Sequence, residues 1–310
     1  AKPFRIIRPV FEFIGVEPGY DELDVSVCFL FFFSIFFAML VGDAGYGCLF
    51  LASAIFAKMK FRNEAKLKLP LNLFIVLSIS TIIWGALGGS WFSIPSDKLP
   101  VPMRGIDALT NPETKDGLIQ TICFILAGLH LSLARIWRGV LLGSWKSLGQ
   151  FGWAMVIWAN FFVIKGLLVD GGKLPTSLLA IVYPLAFLLL LAFYVDWKNL
   201  GDIFNFPFAV IGSFTDVLSY IRLYAVGLAG YYLALNTNQI GAMLFTGPLM
   251  SVAGVIVIFL GHSLNIVLCF LGVLVHGIRL NTLEFSNHME LQWKGFKYNP
   301  LKIETNNNIK

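Results

Sequence analysis

The sequence predicts an all-α, polytopic membrane protein of about eight transmembrane helices, the last two long and tilted. Three observations predict it. Hydrophobic residues make up 57% of the chain against 13% charged, with a mean hydropathy of +0.76, more apolar surface than one aqueous core can hide. Seven apolar stretches recur, each long enough for a hydrocarbon core of about 30 Å. Basic residues sit in short clusters between those stretches, the pattern that orients a membrane protein. The net charge of +5 therefore reads as topology, and no nucleic-acid partner is expected.

The stretches cover residues 24–57, 69–92, 118–137, 153–169, 174–195, 206–235 and 248–283. As one helix the first would extend about 51 Å, too long for a single upright crossing. Its flanks decide. Lys2, Arg5 and Arg8 precede it and Lys58, Lys60, Arg62, Lys66 and Lys68 follow it, so both flanks read as cytoplasmic and the run crosses twice. The reversal falls at GDAGYG, where Gly42, Gly45 and Gly47 supply backbone freedom and Asp43 is expected to brace the turn. That parity places the loop of Arg135, Arg138 and Lys146 in the cytoplasm with both termini, and the acidic loop 93–117 outside. Three regions result: a cytoplasmic lead-in (1–23), a transmembrane domain (24–290) and a cytoplasmic tail (291–310). The missing initiator Met predicts a piece of a longer polypeptide, and no signal peptide is evident. Cys28, Cys48, Cys123 and Cys269 lie in apolar spans without metal spacing and read as small buried hydrophobes. No metal or cofactor is expected, and no phosphate-binding loop is present.

Two arginines break this apolar pattern. Arg222 stands in SYIRLYAVGLAG, about 13 residues from the end of its span and too deep for easy snorkelling. A charge at mid-helix costs about 2.5–3.5 kcal/mol on insertion scales, and arginine cannot escape by deprotonating. At helical spacing it shares a face with Leu218, Ser219, Ala225, Val226 and Ala229, small enough for another helix to approach. Arg279 stands in HGIRLNTLEF, on a stripe of Gly261, Asn265, Gly272, His276 and Ser286. Glu284 projects about 140° away from Arg279 on an α-helix, which argues against a direct pair. The plainer reading of Arg222 is an ion pair with a carboxylate in the same bundle. Lys165 is expected to snorkel from a helix end, and His130 to make a hydrogen bond between helices.

SYIRLYAVGLAG, GHSLN, HGIRLNTLEF, GDAGYG and FKYNPLKI, each weak alone, together resemble the membrane half of subunit a, or subunit I, of the rotary V-type and A-type ATPases, of bacterial type. The resemblance covers nearly the whole chain. It implies a non-catalytic stator subunit in a bacterial or archaeal plasma membrane, surrounded by lipid. Its implied partners are a proteolipid c/K ring and the peripheral-stalk and central-stalk subunits, with nucleotide chemistry elsewhere. It also implies that Arg222 faces the ion-binding carboxylate of the ring and that Arg279 supports it. Gly230 and Cys269 stand where eukaryotic relatives carry histidine and glutamate, and Val41 replaces the usual aromatic.

With the topology above, Asp216, Ser219 and Glu284 fall on the cytoplasmic side of Arg222, and Asn236, His262 and Asn265 on the outer side. Asp216 and Glu284 are expected to mark an inner ion half-channel for H⁺ or Na⁺, and Asn236, His262 and Asn265 an outer one. His276 belongs to the motif of the supporting arginine. The alternative function is a secondary transporter whose arginines bind an anionic substrate; it predicts two related halves with discontinuous helices, which the sequence does not display.

Overall fold

The computed structural model describes residues 6–15, 25–95, 98–195 and 197–291. The ordered elements among them are helices, without a strand. Most of the lead-in and nearly all of the tail, with FKYNPLKI, lie outside the described residues. A short helix α1 (Arg8–Ile14) comes first. The bundle follows as α2 (Ser26–Val41), α3 (Ala44–Lys60), α4 (Lys68–Leu87), a one-turn α5 (Asp107–Thr110), α6 (Lys115–Leu142), α7 (Ser147–Leu168) and α8 (Thr176–Leu189). It ends with α9 (Leu200–Leu218), α10 (Ile221–Met243), α11 (Pro248–Gly272) and a final turn α12 (Ser286–Met289).

Six helical runs are long and apolar enough to cross a membrane: Ala65–Leu87, Lys115–Leu142, Ser147–Leu168, Thr176–Tyr194, Leu200–Met243 and Pro248–Met289. The chain is thus an all-α, multi-pass membrane protein. The double run at 24–57 is two helices of 16 and 17 residues, about 25 Å each and at the short limit for a span. The last two runs reach 44 and 42 residues, about twice what an upright crossing of a core of about 30 Å needs, so they must tilt, bend or project beyond it.

Helix α2 forms the centre. It is apolar on every side, and Phe29, Phe32, Phe33, Phe36, Phe37 and Leu40 are all buried, as expected of a helix surrounded by others. Helices α4, α10 and α11 pack on it, and α3 packs on α4. Helix α6 lies against α7, α9 and α10, and α7 carries α8. Cys28, Cys123 and Cys269 are buried as expected, but Cys48 is exposed.

The break between α2 and α3 is narrower than the GDAGYG motif suggests. Only Gly42 takes a left-handed conformation, with φ 68°. Gly45 and Gly47 lie inside α3, where a Cβ would collide with the Phe92 ring and with Ile82; they serve close packing rather than reversal. Asp43 is the N-cap and is buried. Its Oδ1 accepts N–H bonds from Gly45 at 2.7 Å, Tyr46 at 3.3 Å and Phe92 at 2.8 Å. Its Oδ2 accepts from the Ser90 hydroxyl at 2.7 Å and the Ser93 N–H at 2.9 Å. One carboxylate thus caps a helix and fastens the loop after α4 to it.

Two further expectations change. The basic cluster at Arg135 and Arg138 is not in a loop: both lie in α6, and Arg135 is buried. The span expected as one helix at 206–235 is two, separated by a turn at Ser219–Tyr220. Lys165, in the last turn of α7, is paired with Asp170 at 2.8 Å.

Because Asp43 is buried and accepts five bonds, Asp43→Ala is expected to destabilise the subunit by about 3 kcal/mol. Asp43→Asn, which keeps one acceptor oxygen, should cost less. Thermal unfolding of the detergent-solubilised protein checks both, and equal stability of Asp43→Ala and the unaltered chain would contradict the assignment.

Candidate functional site

The turn at Ser219–Tyr220 changes what Arg222 is. It is not the middle of a continuous helix but the second residue of α10. Helix α9 ends as the N–H of Arg222 reaches back only three residues to the Ser219 carbonyl, at 3.3 Å, in place of the four-residue step of an α-helix. That carbonyl also accepts from the Arg222 Nε at 2.9 Å. The hydroxyl of Ser219 is occupied elsewhere, donating to the Thr215 carbonyl at 2.8 Å. The guanidinium therefore settles one of its donors on backbone freed by the break.

Its main partner is Glu284. Arg222 Nη2 donates to Glu284 Oε1 at 3.0 Å, and Arg279 Nε lies 3.5 Å from the same oxygen. This overturns the argument that Glu284 projects away from Arg279, and the reason is local geometry. Residues Val273–Gly277 and Leu280–Phe285 are π-helical, and i→i+5 hydrogen bonding stacks residues five apart where an α-helix separates them. The stripe expected on this helix divides accordingly. Gly261 and Gly272 face Thr237 and Val226 of α10, and Asn265 bonds to the Gly230 carbonyl at 3.0 Å. Beyond the first π turn Arg279 is half exposed, whereas Ser286 is buried. His276 is partly buried, and its Nδ1 makes no hydrogen bond to any described residue.

Arg222 thus matches the plainer expectation of an ion pair within the bundle, but its flank is open. Its side chain is 24% exposed, and Ala225 and Ala229, next along the same stripe, are exposed. Glu284 is 4% exposed, and its Oε2 makes no hydrogen bond to any described residue. Two arginines share one carboxylate, so the cluster carries at least one net positive charge.

Asp216 lies apart from this cluster, in a second one. His288 Nε2 is 3.0 Å from Asp216 Oδ2, while Arg135 Nε donates to His288 Nδ1 at 2.9 Å. A guanidinium only donates, so Nδ1 is the acceptor and Nε2–H donates to Asp216. Arg135 also donates to Gln150 Oε1 at 3.2 Å and lies over the Trp153 ring, and Arg138 donates to Glu290 at 3.1 Å. The sequence reading missed His288, Gln150 and the burial of Arg135. The spacing of Arg135 from Gly143, the C-cap of α6, was the available signal.

On the far side of Arg222 lies a third cluster. The Tyr46 hydroxyl is 2.6 Å from His262 Nδ1 and accepts from Asn265 Nδ2 at 3.0 Å. His262 Nε2 is 2.9 Å from Asn238 Oδ1, and Asn238 Nδ2 donates to the Phe92 carbonyl at 2.8 Å. Asn238, not Asn236, joins His262; Asn236 is exposed on α10. Tyr46 was missed because it stands in a motif that reads as a turn. A groove of about 440 Å³, lined by residues including Phe92, Asn238, Phe259 and His262, opens beside this cluster. Among the described residues no three His, Cys, Asp or Glu side chains gather as a metal ion would require.

Fold and site together define a multi-pass helical membrane protein whose two arginines are under-compensated beside an open flank. The chain is similar in sequence to subunit I of V-type and A-type ATP synthases. It is 34% identical to V-type ATP synthase subunit I of Borreliella burgdorferi, over 96% of this chain and 52% of that protein. It is 32% identical to V-type ATP synthase subunit I 1 of Treponema pallidum, over 96% of this chain and 50% of that one. A-type ATP synthase subunit I of Archaeoglobus fulgidus is 26% identical over 86% of this chain and 48% of its own length. No family model matches. The chain spans about half the length of the curated relatives it matches.

Removing the shared carboxylate leaves two neighbouring cations without it. Glu284→Leu is expected to destabilise the subunit by about 1–2 kcal/mol, less than for a fully buried pair because Arg222 is partly hydrated. Arg222→Leu combined with Glu284→Leu should recover part of that loss. A double-mutant cycle read by thermal unfolding checks this, and a coupling near zero would show that the pair contributes nothing.

Proposed function

We propose that this chain is the ion-translocating part of the stator of a rotary V/A-type ATPase, working against a ring of small proteolipid subunits. The observation that carries the reading is a net positive cluster at Arg222, Arg279 and Glu284, on a face lined by Ala225 and Ala229. Such a cluster has room and charge for one more carboxylate, and among the described residues only Glu284 is ion-paired with it. A neighbouring rotor supplies it.

A rotor carboxylate in lipid stays neutral, protonated or paired with a cation, because a bare charge there is costly. Facing Arg222 in a low-dielectric gap, its ionised form is favoured and the ion leaves. Arginine suits the task because it keeps its charge when buried and offers a planar fork to a carboxylate, where lysine can lose its proton. The same fixed charge repels H⁺ or Na⁺ that would otherwise leak straight across.

The flanking residues divide by side. Asp216, Ser219 and Glu284 mark the cytoplasmic half-channel, with Glu284 Oε2 buried and without a hydrogen bond to any described residue. Asn238, His262 and Asn265 mark the outer one, beside the groove at His262. Arg279 and His276 support the arginine. Both termini then lie in the cytoplasm of a bacterial or archaeal plasma membrane. The stalk subunits that complete the motor, and the nucleotide chemistry, belong to other chains.

Arg222→Ala in the full-length subunit is expected to abolish ion transport by the assembled complex while the ring still co-purifies, and Arg222→Lys to restore little of it. Ion uptake into reconstituted vesicles measures this, and uptake at the unaltered rate by Arg222→Ala would end the proposal. Glu284→Gln should slow uptake severalfold, since it keeps shape but removes the charge; normal uptake would take Glu284 out of the path.

A further inference from the structure

His130 is fully buried in α6, on neither of the helices that carry Arg222 and Arg279, yet its ring touches the segments on both sides of the Arg222–Glu284 pair. Its Nδ1 is 2.7 Å from the Tyr220 hydroxyl. Tyr220 is also fully buried and occupies the turn between α9 and α10, two residues before Arg222. The same imidazole stacks on Phe285, with centroids 4.6 Å apart and planes at 15°. Phe285 directly follows Glu284 in the second π turn. The opposite face of the imidazole stacks on Phe32 of α2, at 4.1 Å and 30°.

One ring therefore holds three bodies in register: the central helix α2, the break that sets Arg222, and the π turn that sets Glu284. The residue type follows from these contacts. A flat aromatic ring is needed to fill the slot between Phe32 and Phe285. A nitrogen on its edge is needed because the buried Tyr220 hydroxyl would otherwise lose its partner, at a cost comparable to a lost hydrogen bond. Phenylalanine meets only the first requirement and asparagine only the second. His130 Nε2, buried and with no hydrogen bond to any described residue, fits this account: the ring is oriented by stacking and by Tyr220, and its second nitrogen is left over.

We propose that His130 is a positioning residue for ion transport, which acts through Tyr220 and Phe285 to fix the placement of Arg222 relative to Glu284. The inference rests on the stator reading of Arg222 given above. A misplaced guanidinium still repels cations but meets the passing carboxylate off-centre, so strokes slip and fewer ions move per ATP.

The test uses the full-length subunit in the assembled complex, reconstituted in vesicles, with ATP hydrolysis and ATP-driven uptake of H⁺ and of Na⁺ measured side by side. Tyr220→Phe removes one oxygen and leaves the packing in place. It is expected to lower ions moved per ATP about fivefold, the effect of one hydrogen bond, with assembly unchanged. His130→Leu should lower the ratio at least as far, and adding Tyr220→Phe to it should lower it no further, because the bond is already gone. His130→Asn, which keeps a polar atom near Tyr220 but no ring, should fall between the unaltered complex and His130→Leu. Should His130→Leu fail to assemble, Tyr220→Phe decides alone. A merely structural histidine predicts hydrolysis and uptake falling in proportion to the amount of complex. That result, or an unchanged ratio in Tyr220→Phe, overturns the inference. Arg222→Ala in the same assay separates the two layers: if it still transports, the stator reading has failed, and if it does not while Tyr220→Phe is normal, only the role of His130 has.

Discussion

A guanidinium in apolar surroundings must be compensated without being silenced, and the arrangement around Arg222 follows from that constraint. Full burial against a private carboxylate would neutralise it; full exposure to hydrocarbon would be too costly to keep. The chain takes a middle course. Glu284 is shared with Arg279, the Ser219 carbonyl takes a third contact, and the remaining charge faces Ala225 and Ala229. The helix break and the two π turns both serve this arrangement. The first frees a carbonyl for the arginine, and the second brings round an acid that an α-helix would carry to another face.

Sequence reasoning reached what periodicity and charge can encode. The paired short helices at 24–57 follow from length and flanking lysines, the bracing role of Asp43 from its place among glycines, and the bond between helices at His130 from its isolation in an apolar stretch. The sequence did not disclose departures from a 3.6-residue repeat. Nothing in GVLVHGIRLNTLEF marks a π turn, because a π turn forms where packing on both sides repays poorer backbone geometry. The break at Ser219–Tyr220 was hidden for a related reason. Its residues are compatible with helix, and the side chain that holds Tyr220 there lies 90 residues away.

Arg135 teaches the complementary lesson. A basic residue near the end of an apolar run reads as loop on the counting rule for inside charges. Here the helix continues to Leu142, and the guanidinium turns inward onto Trp153, Gln150 and His288. Charge counts register only that a cation is near a membrane face; whether it enters the bundle depends on acceptors from other helices. His288 and Gln150 lie 153 and 15 residues from it in sequence, beyond any local window. Asn238 displaced Asn236 beside His262 for the same kind of reason: two residues on a helix differ by about 200°, and only contacts from α3 and α11 decide which of them is used.

The sharing of Glu284 also bears on speed. On the stator reading, each rotor carboxylate must first be drawn to Arg222 and then let go. An unscreened pair of unit charges at about 4 Å attracts by about 4 kcal/mol at an effective dielectric near 20, and by more where water is excluded, enough to slow every departure if nothing replaced the lost partner. Glu284 replaces it. As the rotor acid leaves, the guanidinium closes back on Oε1, so breaking one ion pair is accompanied by tightening another, and the difference between the two states is smaller than either attraction. Arg279 keeps Glu284 from being neutralised by that exchange, since it still holds the acid when Arg222 turns away. On that reading the second arginine acts on the first through the carboxylate between them, which is buried and within reach of both.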